Sequence, residues 1–236
     1  MTEMDTARLR ARVIEVAREM NARGINVNKS GNVSARACRA AADGFVITPT
    51  GVPYETLRPE DLVFVPLAEP LSVRDAIGRY LPSSEWEMHA RVYLARPDIE
   101  GVVHTHSAYA TALACQEMPI PAFHYMVACA GGASIDVAPY RTFGSSELAQ
   151  EAAAALKARN ACLLAHHGVL AAASTVEKAL VLAAEVENLA HQYAIVRTLG
   201  TPKLIEEDEM QRVIEKFRTY GQPQKRLSGN ETGGSE

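Results

Sequence analysis

The chain has 236 residues, 47% of them hydrophobic, with a formal net charge of −4. That is enough for one large domain with a sizeable core, and the balance argues against a nucleic-acid or acidic-membrane partner. There is no basic cluster with interleaved aromatics and no apolar run of bilayer length, and Met1-Thr2-Glu3-Met4-Asp5, lacking a basic n-region and a following apolar run, is not expected to open a signal peptide. Cys38, Cys115, Cys129 and Cys162 form no CxxC pair, so reduced, mostly buried thiols and a cytoplasmic location are expected.

In chain order, Leu9, Val13, Val16 and Met20 make one apolar stripe, predicting a helix from Asp5 to Ala22 that Gly24 ends. The polar loop Asn28-Lys29-Ser30-Gly31-Asn32-Val33-Ser34 enters a β-like segment and offers amides and small side chains to an anion. Gly44 to Thr48 reads as a strand, Pro49-Thr50-Gly51 as a turn, and Leu62 to Val65 as a further strand. Residues 67–81 are predicted to be loop or hairpin.

Pro82-Ser83-Ser84-Glu85-Trp86-Glu87 opens a helix, with Ser84 and Glu87 spaced as a capping box and Pro97 as its stop. Such a helix start, with two hydroxyls, favours a phosphate. Gly101-Val102-Val103-His104-Thr105-His106 is an apolar strand ending in two histidines. Side chains alternate along a strand, so His104 and His106 share a face and can grip one metal ion together.

Beyond Ser107 a short helix is predicted over Ala108 to Cys115, and Phe123 to Ala130, which carries His124 and Tyr125, is predicted as a buried strand. Ser145 or Ser146 begins an alanine-rich helix to about Lys157. Ala161 to Ala165 is a central strand running into His166-His167-Gly168. Adjacent residues face opposite ways, so at most one of that pair joins the site. Ser174-Thr175-Val176-Glu177 is spaced as a second capping box and opens the longest helix, to about Leu199. His191 sits on it four residues after Glu187, a helix-paired or surface histidine. A last helix is predicted from Glu206 to Phe217. From Gln222 the chain turns to Gly, Ser, Gln, Asn and charge, which reads as a disordered tail behind a domain over 1–221.

Mixed strands and helices point to a layered, single-domain α/β protein. Glu85, His104, His106 and one of His166 or His167 are candidates for one site, and three imidazoles with a carboxylate suit Zn²⁺. A Lewis acid beside a phosphate pocket suggests carbonyl chemistry on a sugar phosphate.

Taken together, Gly31-Asn32-Val33-Ser34, Ile47-Thr48-Pro49-Thr50-Gly51, Pro82-Ser83-Ser84-Glu85, His104-Thr105-His106, His124-Tyr125-Met126, Ala138-Pro139-Tyr140-Arg141-Thr142-Phe143-Gly144, His166-His167-Gly168 and Glu215-Lys216-Phe217-Arg218-Thr219-Tyr220-Gly221 carry a resemblance. The chain resembles the class II aldolase/adducin family, and within it the branch acting on L-fuculose 1-phosphate, from about Leu9 to Gly221. The resemblance implies a three-layer α/β/α fold with a central, mainly antiparallel sheet, and a homotetramer with active sites between subunits. It implies His104, His106, His167 and Glu85 as ligands of Zn²⁺ or another divalent ion, with His166 turned away. Glu85 is further implied as general base and Tyr125, reaching into a neighbouring subunit, as general acid. Asn32, Thr50, Gly51, Ser83 and Ser84 fall on phosphate-binding positions, and Phe143 and Tyr220 on the aldehyde end. The implied reaction is cleavage of a ketose 1-phosphate to dihydroxyacetone phosphate and an aldehyde. Aldolases for 5-deoxyribulose 1-phosphate or 5-methylthioribulose 1-phosphate are close alternatives. The related ribulose-phosphate 4-epimerases are disfavoured because they usually carry aspartate at the position of Glu85. One departure is Lys29-Ser30, where the fuculose-type pattern has threonine and alanine; it bears on substrate specificity.

Overall fold

The computed structural model describes residues 4–217. Tyr220 and the expected tail lie outside them. Among the described residues seven strands form one sheet: β1 (Asn32–Arg39), β2 (Ala42–Ile47), β3 (Val63–Pro66), β4 (Gly101–Thr105), β5 (Val137–Ala138), β6 (Ala161–Leu164) and β7 (Gly168–Ala173). Their order is β3-β2-β1-β4-β7-β6-β5, and every pair is antiparallel except β5 with β6. The strand directions match the mainly antiparallel sheet implied by the family resemblance.

Alternation along the strands divides the core into two layers. Val33, Ala35, Ala37, Val103, Val169 and Ala171 point to one face, where α1 (Ala7–Ala22), α3 (Ala108–Cys115) and α5 (Val176–Leu199) cover them. Phe45, Ile47, Val102, Leu170 and Ala172 point to the other, under α2 (Trp86–Ala95) and α4 (Ser146–Ala155). His104 has the parity of Val102 and therefore faces α2. Burying each of these Val, Ile, Leu and Phe side chains contributes roughly 1.5–3 kcal/mol, so both layers are needed to offset chain entropy. Helix α6 (Glu207–Phe217) closes over the 3₁₀ helix Tyr125–Ala130 through a small cluster around Met210.

Buried Arg36 secures α2 to the sheet. From β1 its guanidinium donates to the carbonyls of Tyr93 (2.5 Å) and Ile99 (3.1 Å) and to Asp43 (2.9 Å). Charged donors give the stronger class of hydrogen bond, about 1.5–3 kcal/mol each, and two of these fall on or just beyond the end of α2.

Several local expectations are corrected. Phe123 to Ala130 is not a strand: after Pro121 the His124 ring accepts the Met126 N–H at 3.2 Å and starts a 3₁₀ helix. The Ser84–Glu87 box does not form. Glu85 occupies the cap position, and Glu87 instead accepts from Ser146 and pairs with Arg91. Thr175, not Ser174, caps α5, and Glu177 pairs with Arg12. Of the four free cysteines only Cys162 is fully buried, and Cys115 is exposed. No described helix is long and apolar enough to cross a membrane.

Candidate metal centre

Four side chains converge where β4, the β6–β7 turn and the start of α2 meet. One ligand-type atom from each of Glu85, His104, His106 and His167 lies within 4.8 Å of all the others. The three imidazoles stand edge to face in a propeller, with interplanar angles of 73°, 75° and 76°. His104 Nε2 is 2.9 Å from His106 Nε2. Glu85 Oε2 lies 3.3 Å from His104 Nε2, and Oε1 lies 3.1 Å from His167 Nε2.

Local structure explains each placement. Strand alternation brings His104 and His106 to one face, as their spacing predicts. Of the adjacent pair after β6, His167 is the one that joins. His166 takes a left-handed conformation (φ 55°) within the turn closed by His167 N–H donating to the Leu164 carbonyl at 3.0 Å. A non-glycine residue holds that conformation only where its surroundings impose it, and here it turns His167 inward. Glu85 arrives from the first residue before α2, held by its N–H on Ser83 Oγ at 3.3 Å.

The donor set fits a divalent ion. His104 Nδ1–H donates to the Val169 carbonyl at 2.8 Å, which leaves the Nε2 lone pair directed at the centre. Glu85 Oε1 is buried and receives no hydrogen bond. An orphaned carboxylate oxygen beside converging imidazole lone pairs is costly in a protein interior unless a cation satisfies it. Three nitrogens and a carboxylate are a donor set for Zn²⁺ and its neighbours in the first transition row.

Electrostatics favour the ligating protonation states. Burial works to raise the Glu85 carboxyl, but the His104 and His167 rings and the Asn32 amide outweigh it and hold it far below the usual carboxylate range. His106 is lowered to about 4 by burial and by its neighbours His104 and His167. His89, behind the centre, is lowered to about 3 by burial and by His104. Because these folded values lie under the free value of 6.5, the unfolded chain binds more protons between that pH and about 4. Stability of the metal-free protein is therefore complete above the free value and is lost as pH falls through this window, by ~1.4 kcal/mol per proton per pH unit. Glu85 adds to the loss toward the lower end of the window, where its carboxyl takes up a proton in the unfolded chain while the folded one stays ionised. Urea midpoints of stripped protein across the window measure it, and a flat profile would refute it.

Gly168 sits where any side chain would intrude. A Cβ there would lie 2.3 Å from the Thr105 carbonyl and 3.0 Å from His106 Cδ2. Gly168→Ala should therefore push β7 from β4, cost ~1–3 kcal/mol and tilt His106. Calorimetry should give a melting point lower by roughly 2–12 °C, with weaker metal binding. Wild-type values for both would show that the strands separate freely.

The other expected residues fall on two sides of the centre. Thr50 and Gly51 meet Leu81 to Ser83 through backbone bonds, Thr50 N–H to the Leu81 carbonyl and Ser83 N–H to the Thr48 carbonyl. Lys29 joins this loop cluster, its ammonium donating to the Gly51 carbonyl at 2.7 Å. Asn32 lies beneath, its carboxamide engaged by Glu85 and by His89. On the far side a cleft of about 180 Å³ is lined by His106, Tyr140, Arg141, Phe143, His166 and His167. Gly144 lets that loop approach Ser84 closely and leaves Phe143 69% exposed over the cleft. Tyr125 is not brought to the centre within one chain. It is 46% exposed on the 3₁₀ helix that packs on α5 and α6, beside His124 and Phe217.

Sequence reasoning missed His89. Its signal was available: it lies one helical turn after Glu85, on the same side of α2. His191, read as a surface or helix-paired histidine, is exposed, and Glu187 turns to α3 rather than to it. Glu187 accepts the Tyr109 and Ala110 N–H groups at 2.9 Å each, capping α3 just behind His106, and His191 stacks on Tyr109.

Residues 11–194 match the family described as the class II aldolase and adducin N-terminal domain. A 5-methylthioribulose-1-phosphate/5-deoxyribulose-1-phosphate aldolase of Rhodospirillum rubrum is 47% identical over 213 residues, covering 90% of this chain and 92% of its own. An L-fuculose phosphate aldolase of Escherichia coli is 44% identical over 223 residues, covering 92% and 98%. Among solved structures, an L-fuculose 1-phosphate aldolase superposes with a TM-score of 0.84 at 35% identity, covering 91% of this chain and 98% of that one. A converging His/Glu centre, the fold that builds it and a match across most of the chain agree: this protein belongs to the class II aldolase/adducin family, as an aldolase.

Proposed function

We propose that the protein cleaves a ketose 1-phosphate, of the L-fuculose 1-phosphate type, to dihydroxyacetone phosphate and an aldehyde, and catalyses the reverse addition. The observation that carries this reading is the orphaned Glu85 oxygen among three imidazoles, beside a loop cluster rich in hydroxyls and amides. Glu85, His104, His106 and His167 would hold Zn²⁺. Bound there, the ion supplies Lewis acidity to a ketone oxygen and offsets the negative charge that develops on it. Thr50, Gly51, Ser83 and Ser84, next to Asn32, bind the phosphate, and Lys29 adds a positive charge at its rim. Glu85 moves the proton at the carbon beside the ketone.

The aldehyde end lies in the cleft under Phe143. Tyr125, exposed and remote from its own centre, serves as general acid in the site of a neighbouring subunit of a homotetramer. The enzyme acts in the cytoplasm.

The 47% identical relative supports a second reading, in which the substrate is 5-methylthioribulose 1-phosphate or 5-deoxyribulose 1-phosphate. These substrates share the phosphate and ketone end and differ only toward the cleft. A coupled assay for dihydroxyacetone phosphate, run on all three ketose phosphates with and without chelator, decides between them. Release of no triose phosphate from any would overturn both readings.

A further inference from the structure

Behind Glu85 the polar side chains form a row to which, beyond Asn32, the reaction above assigns no role. On β1, Asn32, Ser34 and Arg36 alternate with the core residues Val33, Ala35 and Ala37, so they share the face toward α2. Along α2 and its cap, Glu85, His89 and Tyr93 recur every four residues. Two strand residues advance about 6.7 Å and four helical residues about 6 Å, so the rows stay in step.

The contacts follow that match. Asn32 Nδ2 donates to Glu85 Oε2 at 2.9 Å, and His89 Nε2 lies 2.5 Å from Asn32 Oδ1. Ser34 Oγ lies 2.6 Å from His89 Nδ1 and 2.8 Å from the Tyr93 hydroxyl. Arg36 stacks over the Tyr93 ring at 5.1 Å.

One polarity satisfies every link. A carboxylate only accepts, so Asn32 must turn its NH₂ toward Glu85 and its carbonyl toward His89. That carbonyl needs a donor, so His89 carries its proton on Nε2. The ring is completely buried and neutral, so Nδ1 accepts, from Ser34. Ser34 in turn accepts from Tyr93. Without the imidazole donor, Asn32 could rotate and set its carbonyl against the carboxylate.

We propose that His89 is a positioning residue for the aldolase reaction: through Asn32 it pins Glu85 by Oε2 and leaves Oε1 as the oxygen that carries the proton. The assignment rests on the reading of Glu85 as the base. It also gives the Asn32 side chain a role in orienting Glu85, separate from phosphate binding. His89 has no access to substrate and acts only through this contact.

The test isolates the proton step. Metal-loaded enzyme is incubated with dihydroxyacetone phosphate in D₂O, with no aldehyde, and exchange at the hydroxymethyl carbon is followed by NMR. His89→Leu should slow exchange ~10–100-fold per bound metal ion, with KM for dihydroxyacetone phosphate changed less than about 3-fold. His89→Gln restores an N–H donor toward Asn32 and should recover most of the rate. Ser34→Ala, which frees the ring to adopt the other tautomer, should slow exchange about 10-fold and carries the test if His89→Leu fails to fold. Wild-type exchange in His89→Leu or in Ser34→Ala, or equal losses in the Leu and Gln variants, overturns the assignment. Absence of exchange in the wild-type enzyme overturns instead the reading of Glu85 as base.

Discussion

Replacing Glu85 with glutamine should lower kcat by ~10²–10⁴-fold while leaving KM for the ketose phosphate within a few fold. Glutamine has nearly the same volume and can still accept from Asn32, so the local packing survives. What it lacks is a basic oxygen: Oε1, buried and without a hydrogen bond, is the atom to which the proposed mechanism gives the proton. The loops proposed to bind the phosphate, at Thr50, Gly51, Ser83 and Ser84, are unchanged by the substitution. Because Glu85 is also one of the four candidate ligands, turnover is read per bound metal ion, and the metal-loaded variant should melt below the wild type. A variant turning over at near the wild-type rate would show that another group is the base.

Stripping the metal should cost at least ~10²–10³ in turnover, since Lewis-acid stabilisation contributes several kcal/mol. Activity should return on adding Zn²⁺. The same treatment should lower the melting temperature. A ligand at a hundred times its dissociation constant stabilises by ~2.7 kcal/mol, worth roughly 5–11 °C for a domain of this size. The turnover loss follows from the missing Lewis acid and the melting shift from the binding free energy lost at Glu85, His104, His106 and His167. Removing one ligand, as in His167→Ala, should reproduce both. Full activity with no detectable metal would overturn the whole assignment of the centre.

Much of this centre was legible along the chain. The alternation of Val102, His104 and His106 follows from the strand period of two, and the apolar run before His104 identifies the strand. The same rule limited His166-His167 to one participant, though only the left-handed turn at His166 shows which. The Ser83-Ser84-Glu85 start of a helix was also readable, although its box did not form. Strand β7 was not read at all: Ala171-Ala172-Ala173 has no β-branched residues and no alternation. It is a strand because β4 and β6 flank it and supply partners on both sides.

What the chain by itself determined is local: which side chains share a face, where helices begin and end, and that imidazoles and a carboxylate are available with suitable spacing. Which faces meet was decided by the tertiary structure. Asn32 opposes His104 only through the β1–β4 register, and it reaches Glu85, 53 positions away, only because α2 lies over that face. Tyr125 shares the chain with those ligands and yet stands apart from them, on the 3₁₀ helix that packs on α5 and α6. Side-chain periodicity acts over one or two turns, whereas strand pairing and helix docking are settled by burial across the whole core. Hence the identities of the ligands could be read in sequence, and the row that holds Glu85 could not.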